Sequence, residues 1–237
     1  MKKFLFLFIF VFFAAMPAEA GYYDNFRFAS KDAIKPFARD IGSMLGTGTA
    51  NTARPLGFSG FDIGVHGASM LKPSKSNTVL KDNKAIGFGA VQLEIGMPYR
   101  IDGFIRGNEY EGIAAVGGGL RYGLWNVSDE NYKVNAAIAV MGNMASATSF
   151  YAVHWNATLV MSMNLPVVSP YISAGMDSTY LVAQSMEDAL LDDVSVRTTL
   201  PRYAAGLRTK FGLAYLSGEA AYTHGQMVLG AGAGLRF

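Results

Sequence analysis

The chain contains three imidazoles, His66, His154 and His224, and no cysteine. Thiolate chemistry is therefore excluded, and an acyl-transfer or hydrolytic site would need another nucleophile or base with an orienting partner. His154 has the best surroundings. It shares its side of an alternating segment with Asn156 and Thr158, so a hydroxyl–histidine pair is conceivable there. An inward-facing histidine serves equally well as a hydrogen-bonding residue. His66 and Ser69 form no recognisable pattern. No His-x-x-x-His, Gly-x-Ser-x-Gly or nucleotide-binding loop is present. The glycine-rich run at 117–123 lies inside a strand pattern rather than between a strand and a helix, so it is no phosphate cradle. No catalytic residue, metal ligand or cofactor is assigned.

The charged residues carry a second signal. Asp62, Glu94, Asp102, Arg106, Arg121, Lys133, Asp177, Arg202, Arg208, Lys210, Glu219 and Arg236 fall on one parity of their segments, and His154 shares it. Acids and bases mixed on one face can form a salt-bridge network. They can also select or bind a solute. Arg202, Arg208 and Lys210 on one segment could attract an anion, although acidic neighbours can neutralise them.

The elements that must position these residues follow from periodicity. From Gly57 onward apolar and polar residues alternate with a period of two, as in Met227, Leu229, Ala231, Ala233, Leu235 and Phe237 against Gly230, Gly232, Gly234 and Arg236. Ten strands are predicted, at about 57–69, 86–97, 100–107, 112–125, 132–142, 150–163, 171–183, 201–211, 215–224 and 226–237. The first and seventh connections are long and charged, and the even-numbered ones are mostly short. Segments of 9–13 alternating residues with this loop asymmetry are the pattern of a transmembrane β-barrel. Closure follows because a sheet edge in lipid leaves backbone groups unbonded. A charged residue turned to the bilayer midplane costs about 2–4 kcal/mol, so the charged parity is assigned to the lumen. Trp125, Tyr132, Trp155, Tyr171, Tyr203 and Tyr222 are assigned to interfacial girdles.

Upstream, residues 31–45 have helical period. Ala33, Ile34, Phe37, Ile41, Met44 and Leu45 form one stripe, Ser30 suits the N-cap, and Gly46 suits the residue after the helix. Residues 1–20 combine Lys2 and Lys3, an apolar core and Ala18-Glu19-Ala20, the composition of a cleaved secretory signal peptide. The expected divisions are thus 1–20 signal peptide, 21–56 leader and amphipathic helix, and 57–237 barrel. The helix is expected either to plug the lumen or to lie on the periplasmic membrane face, with the N-terminus taken as periplasmic.

Composition agrees with this. The chain has 237 residues, is 51% hydrophobic and 16% charged, and carries a net charge of +2. Mean hydropathy is +0.21. The only long apolar run lies at the start, which excludes a polytopic helical membrane protein, and near-neutrality gives no reason to expect nucleic acid.

These features resemble Gram-negative outer-membrane β-barrel proteins. The resemblance rests on the signal peptide, the alternating strands and the terminal MVLGAGAGLRF ending in Phe237. It implies export to the bacterial outer membrane, contact with its lipid, and Phe237 as the signal read by the barrel-assembly machinery. Asn51-Thr52-Ala53 and Gly60-Phe61-Asp62 also resemble an uncharacterised group of small barrels with an N-terminal helix, which implies no substrate. A narrow, porin-like channel or transporter for a small polar or amphiphilic solute is the leading functional expectation. The alternatives are an adhesion or structural barrel acting through loops 70–85 and 184–200, and a lipid-modifying enzyme using His154.

Overall fold

The computed structural model describes residues 23–80, 86–110, 112–125, 130–223 and 225–237. The expected signal peptide and His224 lie outside these residues. One helix, α1 (Lys31–Leu45), precedes ten strands: β1 (Phe61–Met70), β2 (Ile86–Met97), β3 (Ile101–Tyr110), β4 (Ile113–Gly123), β5 (Lys133–Ser146), β6 (Phe150–Asn164), β7 (Val168–Ala183), β8 (Ser195–Phe211), β9 (Ala214–Thr223) and β10 (Gln226–Arg236). Each strand pairs antiparallel with the next, and β1 pairs with β10 to close the barrel. The seam is fixed at one end by Phe61 N donating to Phe237 O at 3.1 Å and Phe237 N donating to Phe61 O at 2.8 Å. The end that holds this seam and the short connections is here the turn end; the opposite mouth is the loop end.

The parity predicted for the strands is the parity observed. Outward positions form an apolar band that includes Ile63, Ile105, Val140, Leu159, Ile172 and Leu216. Among the described strand residues only two charged side chains face outward, Glu109 and Arg197. Both lie near the loop end, and Arg197 stacks over the Tyr180 ring at 5.5 Å. At the turn end Phe58, Tyr99, Trp125, Tyr132 and Phe237 are exposed together, forming an aromatic rim of the kind that sits at a membrane interface.

Three expectations about the strands need correction. The first strand starts at Phe61 rather than 57, because Gly57 and Ser59 take positive φ and Gly60 N closes a turn onto Gly57 O. The eighth starts at Ser195 rather than 201 and runs through Pro201, which lies opposite Met176. Its added outward residues, Ser195, Arg197 and Thr199, are polar, which made this stretch read as loop. Tyr171 is no girdle residue. It shares the inward parity of Asp177 and is buried, with its hydroxyl donating to Glu219 at 3.2 Å.

Helix α1 lies inside the barrel. Its apolar stripe is buried near the loop end against Met70, Ile86, Phe150 and Leu181. Phe26, Phe37 and Phe150 form an aromatic triplet with ring centroids 4.5–5.0 Å apart. Arg27 pairs with Glu187 at 2.8 Å in the connection between β7 and β8. Residues 23–28 therefore occupy the loop end, and the chain runs down the lumen through residues 46–56 to reach β1 at the turn end. The expected N-terminal position at the turn end is thus reversed for the described residues, because the apolar partners of Phe26 and Phe37 lie at the other mouth.

An arginine placed on the band should be costly in a depth-dependent way. Val140→Arg is expected to lower stability by about 2–4 kcal/mol, and Thr199→Arg by about 1 kcal/mol or less. Urea unfolding in lipid vesicles measures both.

Candidate functional site

The inward face and the segment threaded through it meet in three tiers. In the uppermost, the first long connection clasps α1. Ser74 N and Oγ donate to the Asp40 carboxylate at 2.9 and 2.7 Å, and Asn77 Nδ2 does so at 2.7 Å. Burial pushes the Asp40 carboxyl above its ordinary value, against the hydrogen bonds from Ser74 and Asn77 and the charge of Arg39, all of which favour ionisation. An aspartate with a raised folded-state value contributes stability at low pH and loses it as pH rises through that value.

The middle tier answers a problem posed by the helix itself. The last carbonyls of a helix have no partner within it, and α1 ends inside the barrel. Barrel side chains cap them. Arg202 donates to Ser43 O at 2.7 Å and to Thr47 Oγ1 at 3.0 Å. Arg106 donates to Leu45 O and to Thr47 O at 3.2 Å, and Asn143 donates to Leu45 O at 3.3 Å. Guanidinium groups also suit the negative end of the helix dipole. Arg202 is itself paired with Asp177 at 2.7 Å. Gly46 follows the helix at φ −81, an ordinary conformation. Glycine is needed there for space, because a Cβ would collide with Arg202 and His154. Ser30 occupies the N-cap position without making the side-chain cap bond expected of it.

Below this, Arg121 bridges Glu94 and Asp102 at 2.9 Å each, and Asp102 accepts from Leu56 N at 2.9 Å. Glu219 accepts from Gly48 N at 3.3 Å. Arg208 reaches Asn51 at 3.0 Å and Asp62 at 3.4 Å. Every residue of the threaded segment that the barrel holds in this way contributes backbone or a small polar side chain.

The predicted site residues thus separate by depth. Asp102, Arg106, Arg121, His154, Asp177 and Arg202 are buried against the threaded segment, with Glu94 on Arg121. Glu219 is half-buried beneath Gly48, and Asp62 and Arg208 form a pair closer to the turn end. Lys210, which donates to Asn164, and Arg236 border a turn-end cavity. Lys133 stands apart at the rim, exposed and paired with Glu130 at 3.1 Å. The hydroxyl partner of His154 is neither Thr158 nor another residue of its own strand but Thr179 on β7, at 2.9 Å from Nδ1. The Asp177 carboxylate lies 3.8 Å from Nε2. Gly42 of α1 lies directly over Thr179 and covers this group. Sequence reasoning missed Thr179 and Asn143, because cross-strand register decides both contacts.

Little of the lumen is empty. The space beside the inward glycines is taken: Tyr171 fills beside Gly206, His66 beside Gly232, and Tyr215 beside Gly64 and Gly234. A cavity of about 20 Å³ beside Thr158, Arg202 and Glu219 has room for a single water. A larger one of about 390 Å³ opens at the turn end, between the tail of the threaded segment and strands β5 to β10.

Comparison with known proteins adds the following. The chain is similar to bacterial outer-membrane β-barrels. Among solved structures it is similar to the N-terminal β-barrel domain of OprF from Pseudomonas aeruginosa, at 13% identity over 76% of this chain and 99% of that one, with a TM-score of 0.41. It is also similar to Ail, the attachment invasion locus protein of Yersinia pestis, at 12% identity over 76% and 99% of the two chains and a TM-score of 0.33. A third similar structure is a loop-deletion form of OmpT, an outer membrane protein of Vibrio cholerae, at 10% identity over 66% and 56% and a TM-score of 0.32. No family model and no curated protein matches the chain.

Removing one partner of a buried pair leaves the other charge uncompensated. Arg202→Met is expected to destabilise the barrel by about 3–5 kcal/mol and to expose residues 31–53 to protease. Adding Asp177→Asn should recover more than half of that loss, read as urea midpoints. For the upper clasp, amide exchange at Ser74, corrected for its intrinsic pH dependence, should quicken as pH rises through the raised range of Asp40. The Asp40→Asn variant should lack this response.

Proposed function

We propose that this chain is an outer-membrane barrel, set with Phe237 toward the periplasm, that conducts a small polar solute when its own N-terminal segment yields. In this reading residues 31–53 are a plug, and the described arrangement is the closed state. The observation that carries it is the chemistry of the interface between segment and wall. Below the loop-end cluster, arginines of the wall donate hydrogen bonds to backbone carbonyls, a hydroxyl and a side-chain amide of the segment. Such contacts can be exchanged for water or for a polar solute, each being worth about 1.5–3 kcal/mol net because the arginine donors are charged, whereas a well-packed apolar plug has no comparable substitute. The turn-end cavity lies where a solute would first meet the plug. Residues 1–20 would direct export, and Phe237 would be read by the barrel-assembly machinery.

A second reading draws on the loop end. There the aromatic triplet, the Arg27–Glu187 pair and the Asp40 clasp knit residues 23–45 to two long connections. A mouth braced in this way also suits an adhesion or structural barrel that presents fixed loops. A lipid-modifying activity at His154 would first require Gly42 to lift from Thr179.

Planar-bilayer recording separates these readings. The intact chain should conduct rarely and in brief openings, and deletion of residues 31–53 should raise the open fraction at least tenfold. In the undeleted chain, which has no cysteine of its own, a short bis-maleimide link between Asp40→Cys and Asn77→Cys should suppress the brief openings. A barrel still silent after the deletion excludes conduction and leaves the adhesion reading.

A further inference from the structure

We propose that the outer wall of β6, β7 and β8, where they approach the loop end, is a binding site for the phosphorylated sugar headgroup of a membrane glycolipid, with Arg197 as its phosphate-binding residue. The leaflet that holds this lipid follows from the orientation proposed above; the site itself does not depend on conduction.

These three strands have 15, 16 and 17 residues, more than the about 9–11 that a tilted strand needs to cross the hydrocarbon. Short turns align them at the turn end, so the excess lies at the other mouth. The last pair of β8 with β9 in that direction is Arg202 with Thr223, and Ser195–Pro201 has a strand neighbour only in β7. On the outward face of this extension the apolar band gives way. Arg197 stands beside Tyr180, and Trp155, Ser178 and Thr199 form the next row toward the band. Met176 resumes the exposed apolar surface one row further on.

Arg197 is the one cation among the described strand residues that faces outward. Its Cζ lies 5.5 Å from the centroid of the Tyr180 ring, which holds the guanidinium in place and leaves its fork of donors open. Among the described residues it makes no hydrogen bond and no ion pair. The carboxylates of the adjoining connection are engaged elsewhere: Glu187 with Arg27, and Asp188 and Asp192 with the amides of Leu190 and Met186 at 3.0 and 2.7 Å. The other outward charge, Glu109, is on β3, five strands away around the ring of ten. The β8 flank is therefore positive with no counter-charge from the protein.

On a wall that faces lipid, the anion at hand is the phosphate at the head of a lipid, and a guanidinium pairs with phosphate oxygens through two parallel hydrogen bonds. The next row fits a sugar attached to that phosphate. Ser178 and Thr199 hydroxyls are bonded to each other at 3.1 Å, and the pair keeps one proton and free lone pairs for a ligand. Trp155, 58% exposed, presents an aromatic face with a polar edge, suited to the boundary between headgroup and hydrocarbon. Acyl chains continue from there onto the apolar band.

The test is native mass spectrometry of the full-length exported protein in a neutral detergent, titrated with lipid A, a doubly phosphorylated disaccharide lipid. A saturable one-to-one adduct is expected. Arg197→Gln should weaken it about tenfold, the worth of a hydrogen-bonded charge, and Arg197→Lys by less, because the charge remains and the fork is lost. Ser178→Ala with Thr199→Val should weaken it several-fold, and Glu109→Gln should leave it unchanged. Lipid stripped of its phosphates should bind the intact chain and the Arg197→Gln variant equally weakly. Heat-modifiable gel mobility verifies that each variant is folded, and Arg197→Lys decides the matter if Arg197→Gln is not. Absence of a saturable adduct, undiminished affinity in the folded variant, or undiminished affinity for the phosphate-free lipid overturns the proposal. Phosphatidylglycerol binding as tightly as lipid A overturns the assignment to a glycolipid. A barrel that binds but stays silent after loss of residues 31–53 removes the transport reading alone, and conduction without binding removes this inference alone.

Discussion

The pairing of β1 with β10 governs everything else in this molecule. Once the sheet has no edge, its backbone is satisfied without water and its outer face is free to be apolar. The same closure creates an interior, and at ten strands that interior holds one helix rather than a packed layer of side chains or an open aqueous channel. A helix brought into such a space brings its own unsatisfied ends. The lumen is therefore not a passive container. Its arginines and amides are placed where the carbonyls of Ser43, Leu45 and Thr47 need donors.

That arrangement makes the barrel wall and the threaded segment a single polar system below one apolar lid. Near the loop end the segment is held by Phe26, Phe37 and their neighbours, whose contribution is burial. Further down it is held by hydrogen bonds, for which water or a polar solute offers alternative partners. The two kinds of attachment differ in what weakens them. Polar competitors act on the lower part, and changes in apolar packing act on the upper. The small residues at 42–53 belong to the lower part, since Gly42 and Gly46 let the helix come against Thr179, Arg202 and His154.

The barrel was legible in the sequence because period two in a membrane is enforced on every spanning residue. One misplaced charge is expensive, so the pattern is clean between about Ile63 and Leu235. The ends of strands were less legible because the constraint lapses outside the bilayer, and the polar outward residues Ser195, Arg197 and Thr199 look like loop for that reason. The apolar stripe of α1 was evident from its spacing, but its location was not, because a lumen wall and a membrane surface both accept an apolar stripe. Within the lumen the sequence gives parity and leaves register open. Parity was enough to bring Asp62, Glu94, Arg121 and Arg202 together. It could not tell that Arg121 would find two carboxylates while Arg236 would meet a carbonyl, nor that His154 would face Thr179 across a strand. Tyr171 has the aromatic type of a girdle residue but the inward parity of Asp177, and parity decides its place.

Because the segment before β1 descends through the lumen, residue 23 and Phe237 lie at opposite mouths. The described residues make an odd number of passages, ten in the wall and one along the axis. A wall that shuts around its own leading portion resembles a clasp fastened over a cord. That portion must already be inside when Phe61 and Phe237 join, or be drawn through afterwards past the bulk of Tyr171, Tyr215 and His66. The connectivity thus limits the order of assembly to these two, and in the first the hydrogen bonds of the seam are the ones that trap the chain within itself.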